Sequence, residues 1–257
     1  MECIVLGNFD WYQFRGRANT SCVFIPDLNI VLDAGISIGK VYKYIQNDKR
    51  ELHILSTHGH NDHVWGLWTI HEVLKDKVDK FNVYGPSSTM ENIKNMFSKC
   101  ASGYELPKGS EKFNLITLDD KLGSFDIDDI KIKYKRFPHI GIPVLGYRIE
   151  HDNKSLCYIV DTSIESSVKF GLLDFIKDAD LVIHGCYDLI KPDNNKSHYT
   201  YASELGKTLK GKVKKLVVIG FSPHLENKEY SLDFVIRQYF DLGQFILIAK
   251  PGLRCKI

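Results

Sequence analysis

THGHNDHVWG, residues Thr57 to Gly66, decides how the rest of this 257-residue chain is read. It places His58, His60, Asp62 and His63 in an H-x-H-x-D-H array directly after the apolar run HILS. Neutral imidazole and carboxylate are the donors that zinc, manganese and iron accept. Alternate spacing along a loop lets His58 and His60 face one ion while Asp62 and His63 face a second. A polar loop of chance composition would not concentrate three imidazoles and a carboxylate at a strand end. The stretch therefore reads as half of a two-metal site.

Outward from this loop, the pattern is β-rich runs alternating with helical stretches, with no repeat and no low-complexity segment. CIVL, SCVFI and NIVLD predict strands in quick succession, an antiparallel start. Asp33-Ala34-Gly35 ends the third and leads to a helix from about Ile38 to Ile45. A helix beginning near Asp62 carries Leu67, Ile70 and Leu74 on one face. FNVYGP reads as a strand, and Ser87 to Cys100 as a helix. IKIKYKRF alternates as a half-buried strand does. Then follow a helix from Ile164 to Ile176, the strand DLVIHG, a helix from Tyr199 to Leu209, the strand KLVVIGF, a helix from Glu229 to Tyr239 and a closing strand, FILIAK. No linker interrupts the order, so residues 1–257 are expected to form a single domain: two sheets packed together with helices outside.

Composition narrows the setting. A hydrophobic content of 44% allows a large core, and a net charge of +2 advertises neither nucleic acid nor membrane. Six scattered cysteines without a C-x-x-C pair suit reduced thiols. The opening MECIVLGNFDW is no signal peptide and no apolar run reaches membrane-span length, so a cytoplasmic protein without membrane contact is expected.

His139 follows IKIKYKRF and Asp161 follows LCYIV, each at a predicted strand end. A carboxylate there is well placed to bridge two cations. The alternative for Asp161 is helix capping, because DTSIES offers capping side chains.

Together these residues resemble the metallo-β-lactamase superfamily, in its phosphodiesterase branch with ribonuclease Z and the cyclic-phosphate phosphodiesterases. The resemblance runs through GRANTSCVFI, NIVLDAG, THGHNDHVWGL, VYGP, HIGIPVLGYRIE, SLCYIVDT, ADLVIH, SHYTYASELG and IAKPGL. It implies the αββα sandwich fold, an α/β architecture of two mixed sheets. It also implies a binuclear metal site, most simply zinc with manganese or iron as alternatives: His58, His60 and His139 on the first ion, Asp62 and His63 on the second, Asp161 bridging. A hydroxide between the ions would attack the phosphorus. Asp62 and His198 would be the catalytic side chains, His198 in KSHYTYASE protonating the leaving oxygen.

One departure stands out. Relatives end the strand equivalent to KLVVIGF in a metal-binding histidine, and here Gly220 takes that place. His224 or His184 would have to substitute, or the second ion would be weak. His184 is followed by Gly185, where relatives have a supporting acid. The chain also lacks the long Gly- or Pro-rich arm by which ribonuclease Z clamps tRNA. The expected activity is metal-dependent hydrolysis of a small cyclic or linear nucleotide-type phosphodiester. The rivals are a catalytically weak metal- or ligand-binding member of the fold and a ribonuclease Z-like tRNA 3′ endonuclease. Nucleic acid is not the favoured partner, and a homodimer is compatible with the resemblance.

Overall fold

The structure is a computed structural model, and it describes residues 1–9, 20–46, 50–98, 110–119, 121–191, 198–222, 225, 229–239 and 244–257. The chain divides into two compact units, each built on one seven-stranded mixed sheet.

The first sheet has the order β14-β1-β2-β3-β4-β5-β6. Its strands are β1 (Glu2–Gly7), β2 (Cys22–Ile25), β3 (Ile30–Leu32), β4 (Glu51–Leu55), β5 (Lys80–Pro86), β6 (Phe113–Leu118) and β14 (Arg254–Lys256). β14, β1, β2 and β3 pair antiparallel, as the early strands predicted, and β3 through β6 run parallel. The parallel strands read as continuous apolar runs because a strand covered on both faces has no solvent side on which to alternate. Val31, Leu52, Ile54, Phe81 and Val83 are buried accordingly, and Phe81 stacks on Phe113 with centroids 4.9 Å apart.

Helices α1 (Asn61–Val64), α2 (Leu67–Val73) and α3 (Ser87–Met96) belong to this unit. Leu67, Ile70 and Leu74 are fully buried, as the helical spacing required. The helix expected from Ile38 is a 3-10 helix, Ile36–Lys43. FILIAK is not the closing strand either. Arg254–Lys256 returns beside β1 in register Cys3↔Cys255, a pairing between chain ends that no local pattern announces.

The second sheet has the order β13-β12-β11-β10-β9-β8-β7. It comprises β7 (Leu122–Ile127), β8 (Ile130–Phe137), β9 (Val144–His151), β10 (Lys154–Ile159), β11 (Leu181–Gly185), β12 (Lys215–Ile219) and β13 (Phe245–Ile248). β7 to β10 pair antiparallel and β10 to β13 parallel, so β10 is the switch strand. Tyr147, Tyr158 and Phe137 are its largest fully buried side chains. The expected helix from Ile164 to Ile176 is split into α4 (Ile164–Lys169) and α5 (Leu172–Phe175) at Gly171, whose φ of 78° no right-handed helix accommodates. Helices α6 (Ala202–Leu209) and α7 (Glu229–Arg237) follow. Among the described residues no helix is long and apolar enough to cross a membrane, and the five described cysteines are buried and form no disulfide with one another.

Candidate metal centre

Ligand sites in sheets with parallel strands gather beyond the carboxyl ends of those strands. In the first unit β3 ends before Asp33 and β4 before the loop of His58 and His60. Two backbone bonds tie these ends together: Ala34 N–H donates to the His63 carbonyl at 2.7 Å and Gly66 N–H to the Ala34 carbonyl at 2.8 Å. Gly66 must be glycine, since a Cβ there would stand 2.3 Å from the Gly35 carbonyl oxygen.

This stitching brings Asp33 beneath the motif. Asp33 is fully buried, with φ 57°. It accepts from the Thr57 backbone N–H at 2.8 Å and from the Thr57 hydroxyl at 3.0 Å, and its Oδ2 lies 2.8 Å from His63 Nδ1. The tautomers follow. Thr57 has one hydroxyl hydrogen and gives it to Asp33, so its oxygen accepts from the Nδ1–H of His58, 3.0 Å away. The lone pair of His58 is then on Nε2. His63 likewise gives its Nδ1–H to Asp33 and keeps the lone pair on Nε2.

Those two Nε2 atoms face further donors. His58 Nε2 stands 3.0 Å from His60 Nδ1, and His63 Nε2 stands 3.2 Å from Asp62 Oδ2. A lone pair and a carboxylate oxygen at that distance need a proton or a cation between or beside them. The rings of His58 and His63 are 4.3 Å apart by centroid. His58, Asp62 and His63 are buried, while His60 is exposed. This His/Asp cluster is compatible with metal binding: ligand atoms of His58 and His60 lie within 4.8 Å of each other, as do those of Asp62 and His63. Asp33 was read in the sequence only as a strand end. Its role as the carboxylate behind the histidines was missed, although NIVLDAG places an acid where a buried strand stops.

In the second unit His139 and Asp161 also bring ligand atoms within 4.8 Å of each other. His139 is half-buried after β8, and Asp161 is buried after β10 in a left-handed conformation, φ 50°. Asp161 is not the cap of α4. Ser163 holds that position and accepts from the Ser166 N–H. Hydroxyls brace this end of the sheet: Thr162 donates to the Pro138 carbonyl and Thr200 to the Thr162 carbonyl, each at 2.7 Å. Tyr199 stacks on Tyr187 with centroids 4.4 Å apart and meets the His139 ring edge-on at 6.1 Å. His198, one residue earlier, is exposed.

Gly220 follows β12 with φ 73°, and its N–H donates to the Asn8 carbonyl at 3.0 Å. It supplies no ligand, and its backbone suits glycine. His224 lies outside the described residues. His184 is fully buried within β11, where its Nδ1 is 2.7 Å from the Gly185 carbonyl. Burial drives its pKa down to about 4, against a smaller upward pull from that hydrogen bond. Neither metal-competent grouping among the described residues includes it. At Gly185 a Cβ would approach the Val160 Cα to 3.1 Å and the Asp161 backbone nitrogen to 3.2 Å, so a side chain there would press on the chain at Asp161.

Residues 28–215 match the family described as the beta-lactamase superfamily domain. No curated protein matches the sequence. Similar solved structures include the metallo-beta-lactamase fold protein YhfI from Bacillus subtilis, at 17% identity and a TM-score of 0.78 over 99% of this chain and 98% of that one. The short form of human tRNase Z is similar at 20% identity and 0.71, covering 100% and 99%. A diphosphatase of the PhnP family is similar at 14% and 0.70, covering 100% and 97%. These likenesses carry the fold, two mixed sheets with helices, that the sequence led us to expect.

Proposed function

Because the chain belongs to the beta-lactamase superfamily, we propose that it is a metal-dependent hydrolase of phosphodiester bonds, acting on a small cyclic or linear nucleotide-type substrate. The observation that carries this reading is the Asp33–Thr57–His58 and Asp33–His63 network, which turns two imidazole lone pairs toward further donors. Buried histidines with carboxylate partners of this kind are the supporting shell of metal sites. By the family resemblance, His58, His60 and His139 would serve one ion and Asp62 and His63 the other, with Asp161 serving both. The donor set, imidazole and carboxylate, suits zinc first and manganese or iron next. When bound, the cations would activate water and neutralise charge on the phosphoryl oxygens.

The remaining work falls to this chain's side chains. Asp33 holds His63 and, through Thr57, His58 in one tautomer, so neither ring reorients when a substrate arrives. His198 is exposed beside Tyr199, whose ring packs on Tyr187 and His139, and an imidazole there would be the proton donor to a leaving alkoxide. The human tRNase Z and PhnP diphosphatase likenesses are in keeping with a phosphoryl substrate. Gly220 favours one second reading, a weak or absent second ion and a binding protein without turnover.

Metal analysis of the purified protein together with hydrolysis of bis(p-nitrophenyl) phosphate, cyclic nucleotides and precursor tRNA tests both. Two ions and turnover of the small diesters are expected. At most one ion and no turnover would establish the second reading, and turnover of precursor tRNA alone would overturn the substrate class. Gel filtration checks the homodimer, and fractionation the expected cytoplasmic location.

A further inference from the structure

We propose that Trp65 is the platform on which the base of a nucleotide substrate stacks. The inference rests on the phosphodiester reading above and names the part of the substrate that lies beyond the phosphate. Trp65 is the C-cap of α1, with φ −59° and ψ −28°, so the helical path runs through it and on into α2. It stands three residues after Asp62, and side chains three apart on a helix are neighbours, about 5–6 Å between Cβ atoms. The indole is therefore rooted one turn from a proposed metal ligand.

Its mounting is rigid. Trp65 N–H donates to the Asn61 carbonyl at 2.8 Å, and the Trp65 carbonyl accepts from Trp68 N–H at 3.2 Å. His63 before it and Gly66 after it are both bonded to Ala34, and Gly66 is wedged against Gly35. A residue so flanked cannot swing its backbone away.

The side chain is nevertheless 47% exposed, while Asp62, His63, Val64, Gly66 and Leu67 around it are buried. It shares its outer face with Asn61 and Thr69, at i−4 and i+4, both exposed and polar. Among the described residues its ring has neither an aromatic nor a cationic partner, whereas Trp68, three residues on, stacks on Phe97 at 5.9 Å. A firmly mounted, half-open indole one turn from the proposed metal ligands fits a planar π-system attached to the phosphate that the proposed reaction would bring there. Polar Asn61 and Thr69 argue against a broad apolar partner surface and for a small ligand. Every nucleobase offers a π-face, so this platform selects a base without choosing which one.

The test is calorimetric titration of the metal-loaded protein with AMP and with ribose 5-phosphate, in wild type, Trp65→Leu and Trp65→Phe. AMP should bind wild type more tightly than ribose 5-phosphate does. Trp65→Leu should weaken AMP roughly 5- to 150-fold, the effect of losing one stacked base, and leave ribose 5-phosphate unchanged. Trp65→Phe should restore part of the difference. Equal affinity of wild type for the two ligands, no binding of AMP, or an equal loss for both in Trp65→Leu at unchanged metal content would overturn the proposal. Hydrolysis of bis(p-nitrophenyl) phosphate, run alongside, separates the two failures. Turnover without base discrimination removes the stacking platform alone; base discrimination without turnover removes the hydrolase reading alone.

Discussion

His184 should make the protein lose stability in mild acid, and the size of the loss follows from its surroundings. The ring is fully buried in β11, its Nδ1 engaged with the Gly185 carbonyl and its Nε2 without a hydrogen-bond partner among the described residues. Burial holds its pKa down at about 4, against 6.5 for a free histidine. Above pH 6.5 the ring is neutral in both folded and unfolded chains and costs nothing. As pH falls from 6.5 toward 4 the unfolded chain takes up a proton that the folded chain refuses, so stability drops. The linkage relation gives a loss of about 2 kcal/mol at pH 5 and about 3 kcal/mol once pH is below both values. For a chain of this size 2 kcal/mol corresponds to roughly 4 °C in Tm. The assay is urea and thermal denaturation between pH 7.5 and 4.5 of wild type and His184→Leu, both stripped with chelator because metal ligands also titrate in acid. His184→Leu should lose about 2 kcal/mol less than wild type between pH 7 and pH 5, and its stability at pH 7.5 should change little, because the loss of the Nδ1 bond to Gly185 is offset by removal of the unpartnered Nε2. Equal acid losses in the two proteins would refute the reasoning.

Asp33→Asn keeps the shape and tolerates the left-handed backbone, but it cannot accept the three bonds that Thr57 and His63 direct at the carboxylate; metal affinity should fall about 10- to 100-fold in a chelator competition, and unchanged affinity would show that Asp33 is only structural. Asp161→Asn likewise suits its φ of 50° and leaves the Ser163 cap intact, so a joint weakening of both ions in titration would report the lost charge, while full metal content would exclude a bridging role. Gly220→His must adopt φ 73°; Tm should drop by the equivalent of about 1–2 kcal/mol even where the second ion tightens, and an unshifted Tm would mean that this turn is not held left-handed.

Much of the molecule was legible because it is local. The strand of HILS, the burial of Leu67, Ile70 and Leu74, and the alternation of IKIKYKRF follow from periodicities of 3.6 and 2, which a sequence displays directly. The H-x-H-x-D-H spacing likewise fixed which side chains share one loop, and the ends of predicted strands picked out His139 and Asp161. Partners distant along the chain were not legible. Asp33 meets Thr57 and His63 across 24 and 30 residues because β3 lies parallel to β4 and ends beside it. Cys255 meets Cys3 because the last strand returns to the first. Backbone conformation was hidden as well: Gly171 breaks a helix that the apolar pattern would continue, and Ser163 rather than Asp161 takes the cap. Sequence determined which groups can bind a cation, since that depends on side-chain chemistry and short spacing. Only the tertiary structure decided which nitrogen of His58 and His63 carries the lone pair, since a tautomer is set by whichever acceptor the fold brings to the other side of the ring.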